Sequence, residues 1–157
     1  MAGTDDGPAA VLRRFLAERA DEITAEVVGE IAARVPAYTH LRAGDVSNLV
    51  REAIAVYSGA REASAVLPVF RALGAGEALA GHDIRYFECA LRTAARVLVR
   101  RTANAAARLY PPTAEFITIM EIAFTAEDEL VGAAVEGHHR AARPGVARLR
   151  YPLFSDN

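Results

Sequence analysis

The spacing of apolar residues along the chain predicts helices throughout. Apolar side chains recur at steps of three and four residues over long segments, which is the period of one face of an α-helix. Alternating apolar and polar segments are missing, and so are Asn-Gly or Asp-Gly turns between β-branched runs, the usual signs of a β-sheet. We therefore predict an all-α fold: a single compact domain of five helices, arranged as a bundle or as a globin-like stack.

Proline, glycine and N-capping residues mark the ends of the predicted helices. The first helix has Asp6 as its cap, starts at Pro8 and runs to about residue 35. Asp45 caps the second helix and Asp83 caps the fourth, while the third starts near residues 64–67 and the fifth at about residue 113. The predicted organisation is a flexible arm over 1–7, a helical domain over 8–143 and a short tail over 144–157.

Two glycines, Gly74 and Gly76, interrupt the third helix. A glycine inside a helix costs about 1 kcal/mol relative to alanine. We therefore expect this helix to be weak or bent at that point, or to pack closely on a neighbour.

The composition of the chain limits the kinds of partner that the protein is expected to bind. The 157 residues carry a net charge of −2, and all 18 basic residues are arginines spread along the chain. Nucleic-acid binding requires a dense basic patch, so we expect no direct contact with nucleic acid. The acidic N-terminus is not a signal peptide, no apolar run is long enough to cross a membrane, and the single cysteine fits a reducing compartment. We expect a cytoplasmic protein without a membrane partner.

The segment GHDIRYFECALRTAARVL, residues 81–98, concentrates the side chains that could carry chemistry. His82 could bind a ligand or act as a general base, although a lone histidine at a loop–helix junction is usually a surface residue. Arg92 and Arg96 could hold an anionic ligand together with it. The stronger expectation is that Arg85, Arg92 and Arg96 come close to one helix face and pair with carboxylates at an interface.

Cys89 lies within the same predicted helix. Arginines one turn away would make its thiol more reactive, which suggests a redox sensor. The competing interpretation is a small, partly buried apolar side chain, the usual role of a free cysteine.

Metal ligands and catalytic motifs are missing. His138 and His139 are adjacent, so they do not share a helix face, and they fit cations at a helix C-terminus. Glu136 and His139 match the Glu-x-x-His spacing of di-iron proteins only once. No phosphate-binding loop, nucleophile elbow or kinase motif occurs. We expect no metal, no other cofactor and no enzymatic activity.

The same segment also carries a family pattern of a glycine, an apolar residue, a run of helix formers and a closing Ala-Arg-Val-Leu. The residues that match are Gly81, Ile84, Ala90, Arg92, Ala95, Arg96, Val97 and Leu98. This pattern resembles the RsbRD-type N-terminal domain, which occurs in RsbT co-antagonists and at the front of actinobacterial PucR/CdaR-type transcription regulators. Leu91 departs from the tyrosine that the family often has, and His82-Asp83 replaces an apolar-proline pair. The segments IAARVPAY and DVSNLVREAIAVY also resemble its first two helices, so the resemblance covers about residues 10–142.

The resemblance implies a non-enzymatic sensory or protein-interaction domain that is helical, often dimeric and coupled to an output module. We expect a homodimer, or a complex with a regulatory protein. The chain ends soon after the fifth helix, so we expect a domain that stands alone without its own DNA-binding module, or a truncated one.

The alternative is a globin-like sensor of a small molecule or of heme, anchored by His82 or an arginine. A helical enzyme built on His82, Asp83 and Cys89 fits poorly, since Asp83 and Cys89 point to separated helix faces.

Overall fold

A computed structural model describes residues 7–110 and 114–143. These ranges contain six α-helices and two short 3₁₀ turns, at Pro36–Tyr38 and Ala63–Ala65, and no strand. The helices are α1 (Pro8–Ala17), α2 (Ala20–Arg34), α3 (Ala43–Tyr57), α4 (Leu67–Leu79), α5 (Ile84–Leu109) and α6 (Ala114–Ala141). The all-α class is confirmed and the count of five helices is wrong. The predicted cap Asp6, arm residues 1–6 and tail 144–157 lie outside the described residues.

The sixth helix arises because the predicted first helix, 8–35, is divided between Ala17 and Ala20. In a continuous helix the Arg19 N–H would bond to the Phe15 carbonyl. Here the Arg19 guanidinium donates to that carbonyl at 2.9 Å, and the Arg19 N–H bonds to the Leu16 carbonyl at 3.0 Å. The guanidinium carbon also lies 3.6 Å from the centre of the Phe15 ring. Neither a proline nor a glycine lies at the break, and the apolar residues keep their helical spacing across it. The sequence pattern therefore gave no sign of the division.

The two predicted caps have different outcomes. Asp83 is the N-cap of α5, and its carboxylate accepts a hydrogen bond of 2.8 Å from the Arg85 backbone N–H. Asp45 is not the N-cap of α3, because that helix begins two residues earlier, after Arg42. The Asp45 carboxylate instead reaches back from the first turn to the Arg42 backbone N–H at 3.0 Å. It still satisfies one of the free N–H groups at the helix start.

α4 and α6 form the most extensive helix–helix contact, and their backbones nearly touch. A methyl group added at Gly74 would lie 1.8 Å from the Ala134 carbonyl oxygen, and one added at Gly137 would lie 2.0 Å from the Arg71 carbonyl oxygen. Gly76 has no neighbour within 4 Å. Close packing, one of the two expectations for the third predicted helix, is therefore confirmed at Gly74 and is not the role of Gly76.

One hydrophobic cluster includes residues from all six helices. The long helix α5 contacts α1, α2, α3 and α6, whereas α4 packs chiefly on α6. No helix within the described ranges is both long enough and apolar enough to cross a membrane.

Candidate functional site

An apolar cavity lies where α2, α3, α4 and α5 meet. Its volume is about 110 Å³, and its walls are almost entirely hydrocarbon. Phe70, Leu73 and Glu77, at steps of three and four residues, form the side of α4 that lines it. Because α4 is held against α6 at Gly74, this side faces α3 and α5 across an unfilled space.

Three polar residues, Tyr38, Glu77 and His82, form what we call the polar edge of the cavity. The Tyr38 hydroxyl donates to Glu77 Oε2 at 3.2 Å, and His82 Nδ1 bonds to the same oxygen. The Tyr38 and His82 rings meet edge to face, with centroids 5.4 Å apart. Tyr38 and Glu77 line the cavity directly, whereas His82 does not line it and contacts Glu77.

The Tyr38 hydroxyl is held in its protonated form. Burial raises the pKa of this hydroxyl above its ordinary value, and the charge and hydrogen bond of Glu77 raise the pKa further. Tyr38 therefore remains a donor to Glu77 across the physiological pH range.

His138 connects the polar edge to α6. This side chain is 6% exposed, its ring stacks on Phe87 with centroids 5.7 Å apart, and its Nε2 donates to the His82 carbonyl oxygen at 2.8 Å. Its Nδ1 is buried without a hydrogen-bond partner among the described residues. Both histidines lie in the last turn of α6, as predicted, but only His139 is exposed, whereas His138 faces the α5 side of the helix.

The structure does not bring the predicted ligand residues together. His82 is at the polar edge, whereas Arg92 and Arg96 are exposed on α5 and do not line the cavity. Arg92 pairs with Glu88 in its own helix at 3.2 Å, and Arg85 pairs with Asp83 at 3.2 Å. Arg96 makes no ion pair within the described part of the chain.

Several arginines of the described residues pair with carboxylates of another helix, and Arg100 and Arg101 form the shortest of these pairs. Both bind Glu26 of α2, at 2.6 and 2.7 Å. Partial burial alone would raise the pKa of the Glu26 carboxyl, but the hydrogen bonds and charges of the two arginines outweigh it and hold the pKa below its ordinary value. Glu26 therefore stays charged and joins α2 to α5.

Cys89 is exposed, which contradicts the partly buried interpretation of its side chain. Its backbone carbonyl accepts a hydrogen bond of 2.8 Å from the Thr93 hydroxyl. The nearby Arg85 and Arg92 are engaged with carboxylates. A redox role for the thiol stays a prediction.

The described residues form neither a metal cluster nor a heme pocket near His82. No group of three or more histidine, cysteine or acidic side chains suited to a metal occurs within 7–110 and 114–143. The cavity of about 110 Å³ is well below the roughly 300–1,000 Å³ of sites for drug-sized ligands, and heme is larger still. His82 Nδ1 is also committed to Glu77. The geometry therefore favours a much smaller occupant than heme.

Sequence reasoning missed Tyr38, Glu77 and the cavity itself. The available signal was the lone carboxylate in the mostly apolar segment LPVFRALGAGEAL, whose other charged residue is Arg71. Its two partners lie 39 residues before it and 5 residues after it, and no local pattern links these positions.

Comparison with known proteins then identifies the family. A family model described as the PucR-like N-terminal domain matches residues 7–150. Searches of curated proteins and of solved structures returned no match. The family match confirms the resemblance to the input domain of PucR-type regulators. The chain therefore belongs to the PucR-like N-terminal domain family, the regulatory sensory part of transcription regulators.

Proposed function

We propose that this chain is a non-enzymatic sensory domain of a bacterial transcription-regulation system, and that it acts by changing its contacts with other proteins, first of all with a second copy of itself. The observation that carries the proposal is the family match over residues 7–150. Regulatory input domains transmit a signal through a shift between conformations or assemblies. The proposal holds whether the output module belongs to this protein or to a regulatory partner of the kind that RsbT co-antagonists have.

The outer surface of α6 supports an interaction role. Ile117 and Phe124 are 60% and 52% exposed, and their spacing of seven residues places them on the same side of the helix. Large apolar side chains grouped on a surface mark interaction sites more often than isolated ones do.

The arginine face of α5 is the second candidate surface. Arg85, Arg92 and Arg96 are all exposed, and Arg96 has no ion-pair partner among the described residues. Guanidinium groups suit carboxylates at interfaces because they form paired hydrogen bonds. An acidic surface on a second copy or on a regulatory protein would complement them.

The experiment is the mass of the purified full chain in solution, by analytical ultracentrifugation over a range of concentrations. We expect a dimer. The double variant Ile117→Ser/Phe124→Ser tests the apolar surface, and Arg96→Ser tests the arginine face. Arg13→Ser, which removes an exposed arginine from α1, is the matched control and should leave the mass unchanged.

Native mass spectrometry of protein purified from its own host completes the test. A dimer mass, or a dimer with an added regulatory protein, supports the proposal. A monomer at every concentration, with no added protein, contradicts it. A dimer that neither set of substitutions weakens would place the interface on a third surface.

A further inference from the structure

The cavity between α2, α3, α4 and α5 has the size of a small organic molecule. Its volume is about 110 Å³. An apolar cavity of about 150 Å³ in another protein stays dry and binds benzene, so this smaller, partly open one suits a molecule of about benzene's size at most. Its edge is partly open, at half-buried side chains such as Leu49 and Leu91.

The space persists because small side chains line it. Ala53, Ala90 and Ala94 stand at positions of α3 and α5 where a larger apolar residue would fill the gap. Protein interiors are otherwise packed to the density of organic crystals, and an unfilled apolar space destabilises the fold. An apolar space kept open at the edge of the core points to an occupant.

Glu77 supplies an acceptor at the cavity wall. It is the only charged residue in the lining, and its side chain is 22% exposed. Tyr38 and His82 both bond to its Oε2. Its Oε1 forms no hydrogen bond within the described residues, so this oxygen is free to accept from a ligand.

We infer that the cavity binds a small molecule with an apolar ring or a branched alkyl body and one O–H or N–H group, which donates to Glu77 Oε1. This inference names the ligand class for the proposed sensory role and rests on that proposal. A carboxylate or phosphate ligand is disfavoured, because Glu77 would repel it and because neither Arg92 nor Arg96 lines the cavity.

The polar edge connects such a ligand to α6. Glu77 bonds to the His82 ring, and the His82 carbonyl accepts from His138 on α6. Phe87 lines the cavity and also stacks on His138. A ligand at Glu77 therefore lies next to two separate contacts that hold α6 against the start of α5.

The test measures binding of three matched probes to the full chain by thermal shift and by titration calorimetry. Phenol has the ring and a donor, benzene has the ring alone, and benzoate has the ring with an anionic acceptor. We expect phenol to bind about tenfold more tightly than benzene, the usual gain from one hydrogen bond to a charged group. We expect no binding of benzoate. Equal binding of phenol and benzoate, or no binding of any probe, overturns the inference.

Two variants separate the apolar body from the donor. Ala94→Leu fills the cavity from α5, where the position is only half-buried, and should abolish binding of phenol and benzene alike. Glu77→Leu removes the acceptor and should make the two ligands bind equally. Glu121→Leu replaces an exposed glutamate of α6 and is the matched control, which should keep the tenfold preference.

Nuclear magnetic resonance of the unchanged protein keeps the inference testable if a variant fails to fold. Phenol should shift the methyl signals of Leu73, Leu91 and Ile31, which line the cavity, and leave those of Ile117 and Leu79 in place. Shifts confined to the outer surface contradict the inference. Ligand binding by a protein that stays monomeric would contradict only the proposed assembly, and a dimer that binds no probe would contradict only the ligand.

Discussion

Single carboxylates position the long helix α5. Asp83 caps its first turn by accepting from the Arg85 N–H, and Glu26 of α2 binds Arg100 and Arg101 along its length. Each carboxylate accepts hydrogen bonds from donors that would otherwise have only water as an acceptor. The start of α5 and its alignment with α2 therefore depend on individual side chains.

Replacement of Asp83 by alanine should destabilise the start of α5. The Arg85 N–H would lose its side-chain acceptor, and we expect the melting temperature to fall by about 2–4 °C, as is usual for loss of one N-cap in a domain of this size. Asp83→Asn retains an acceptor oxygen, so its melting temperature should fall much less. Equal melting temperatures for the alanine and asparagine variants would contradict a capping role.

Glu26→Gln should reduce stability in a pH-dependent way. The folded-state pKa of Glu26 is below its ordinary value of 4.5, so the charged carboxylate stabilises the fold above that pH. This contribution, about 1 kcal/mol because solvent screens the partly exposed arginines, is lost as the pH falls through the folded-state pKa. The difference in unfolding free energy between the two proteins should therefore be full near neutral pH and vanish in acid.

The control for this experiment is Glu30→Gln, also on α2. Glu30 pairs with Arg34 one turn away within the same helix. Near neutral pH, Glu30→Gln should lower the free energy of unfolding less than Glu26→Gln does. A pH-independent effect of Glu26→Gln would show that the residue stabilises the fold by packing rather than by charge.

Helix elements in this domain are brought together by glycine as well as by apolar side chains. Gly74 on α4 and Gly137 on α6 permit an approach in which each helix meets a carbonyl group of the other. Gly76 and Gly132 lie in the same two helices with nothing within 4 Å. The same residue type therefore has a packing role at two positions and none at the other two.

Gly74→Ala should destabilise the protein by about 2–3 kcal/mol, because the methyl group would force the Ala134 backbone away. Gly76→Ala, two positions along the same helix, should instead stabilise it by about 0.5–1 kcal/mol through better helix propensity. Chemical denaturation of the two variants measures both effects. Gly137→Ala and Gly132→Ala repeat the comparison on α6, and the same sign for both members of a pair would contradict the close crossing.

The whole molecule is organised around one core. Every helix of the described residues contributes to the same hydrophobic cluster, and α5 packs against α1, α2, α3 and α6. The apolar cavity is a gap inside this cluster rather than a cleft between two units. Within residues 7–110 and 114–143, the domain therefore has no internal boundary at which one part could separate from another.

We expect the full chain to unfold in a single cooperative transition, as small one-core domains do. Far-ultraviolet circular dichroism and tyrosine fluorescence should give the same midpoint, since the chain has five tyrosines and no tryptophan. The substitutions at Asp83 and Gly74 should move that one midpoint. Two separate transitions would show that part of the domain, such as α4 with α6, folds independently.

The sequence alone predicts the helical class, the start of α1 at Pro8, the cap of α5 at Asp83 and the apolar faces of the helices. These features depend on hydrogen bonds and side-chain spacing within a few residues, so a local pattern contains them. It also contained enough of the family pattern to indicate the input domain of PucR-type regulators.

Packing in three dimensions sets which helices meet, how closely they approach and what lies between them. The burial of His138 beside the exposed His139 depends on which side of α6 faces Phe87. Glu77 became a candidate ligand residue because folding brings Tyr38 and His82 to it. Such contacts join residues far apart in the chain, and their geometry follows from the packing of the whole core rather than from any one segment.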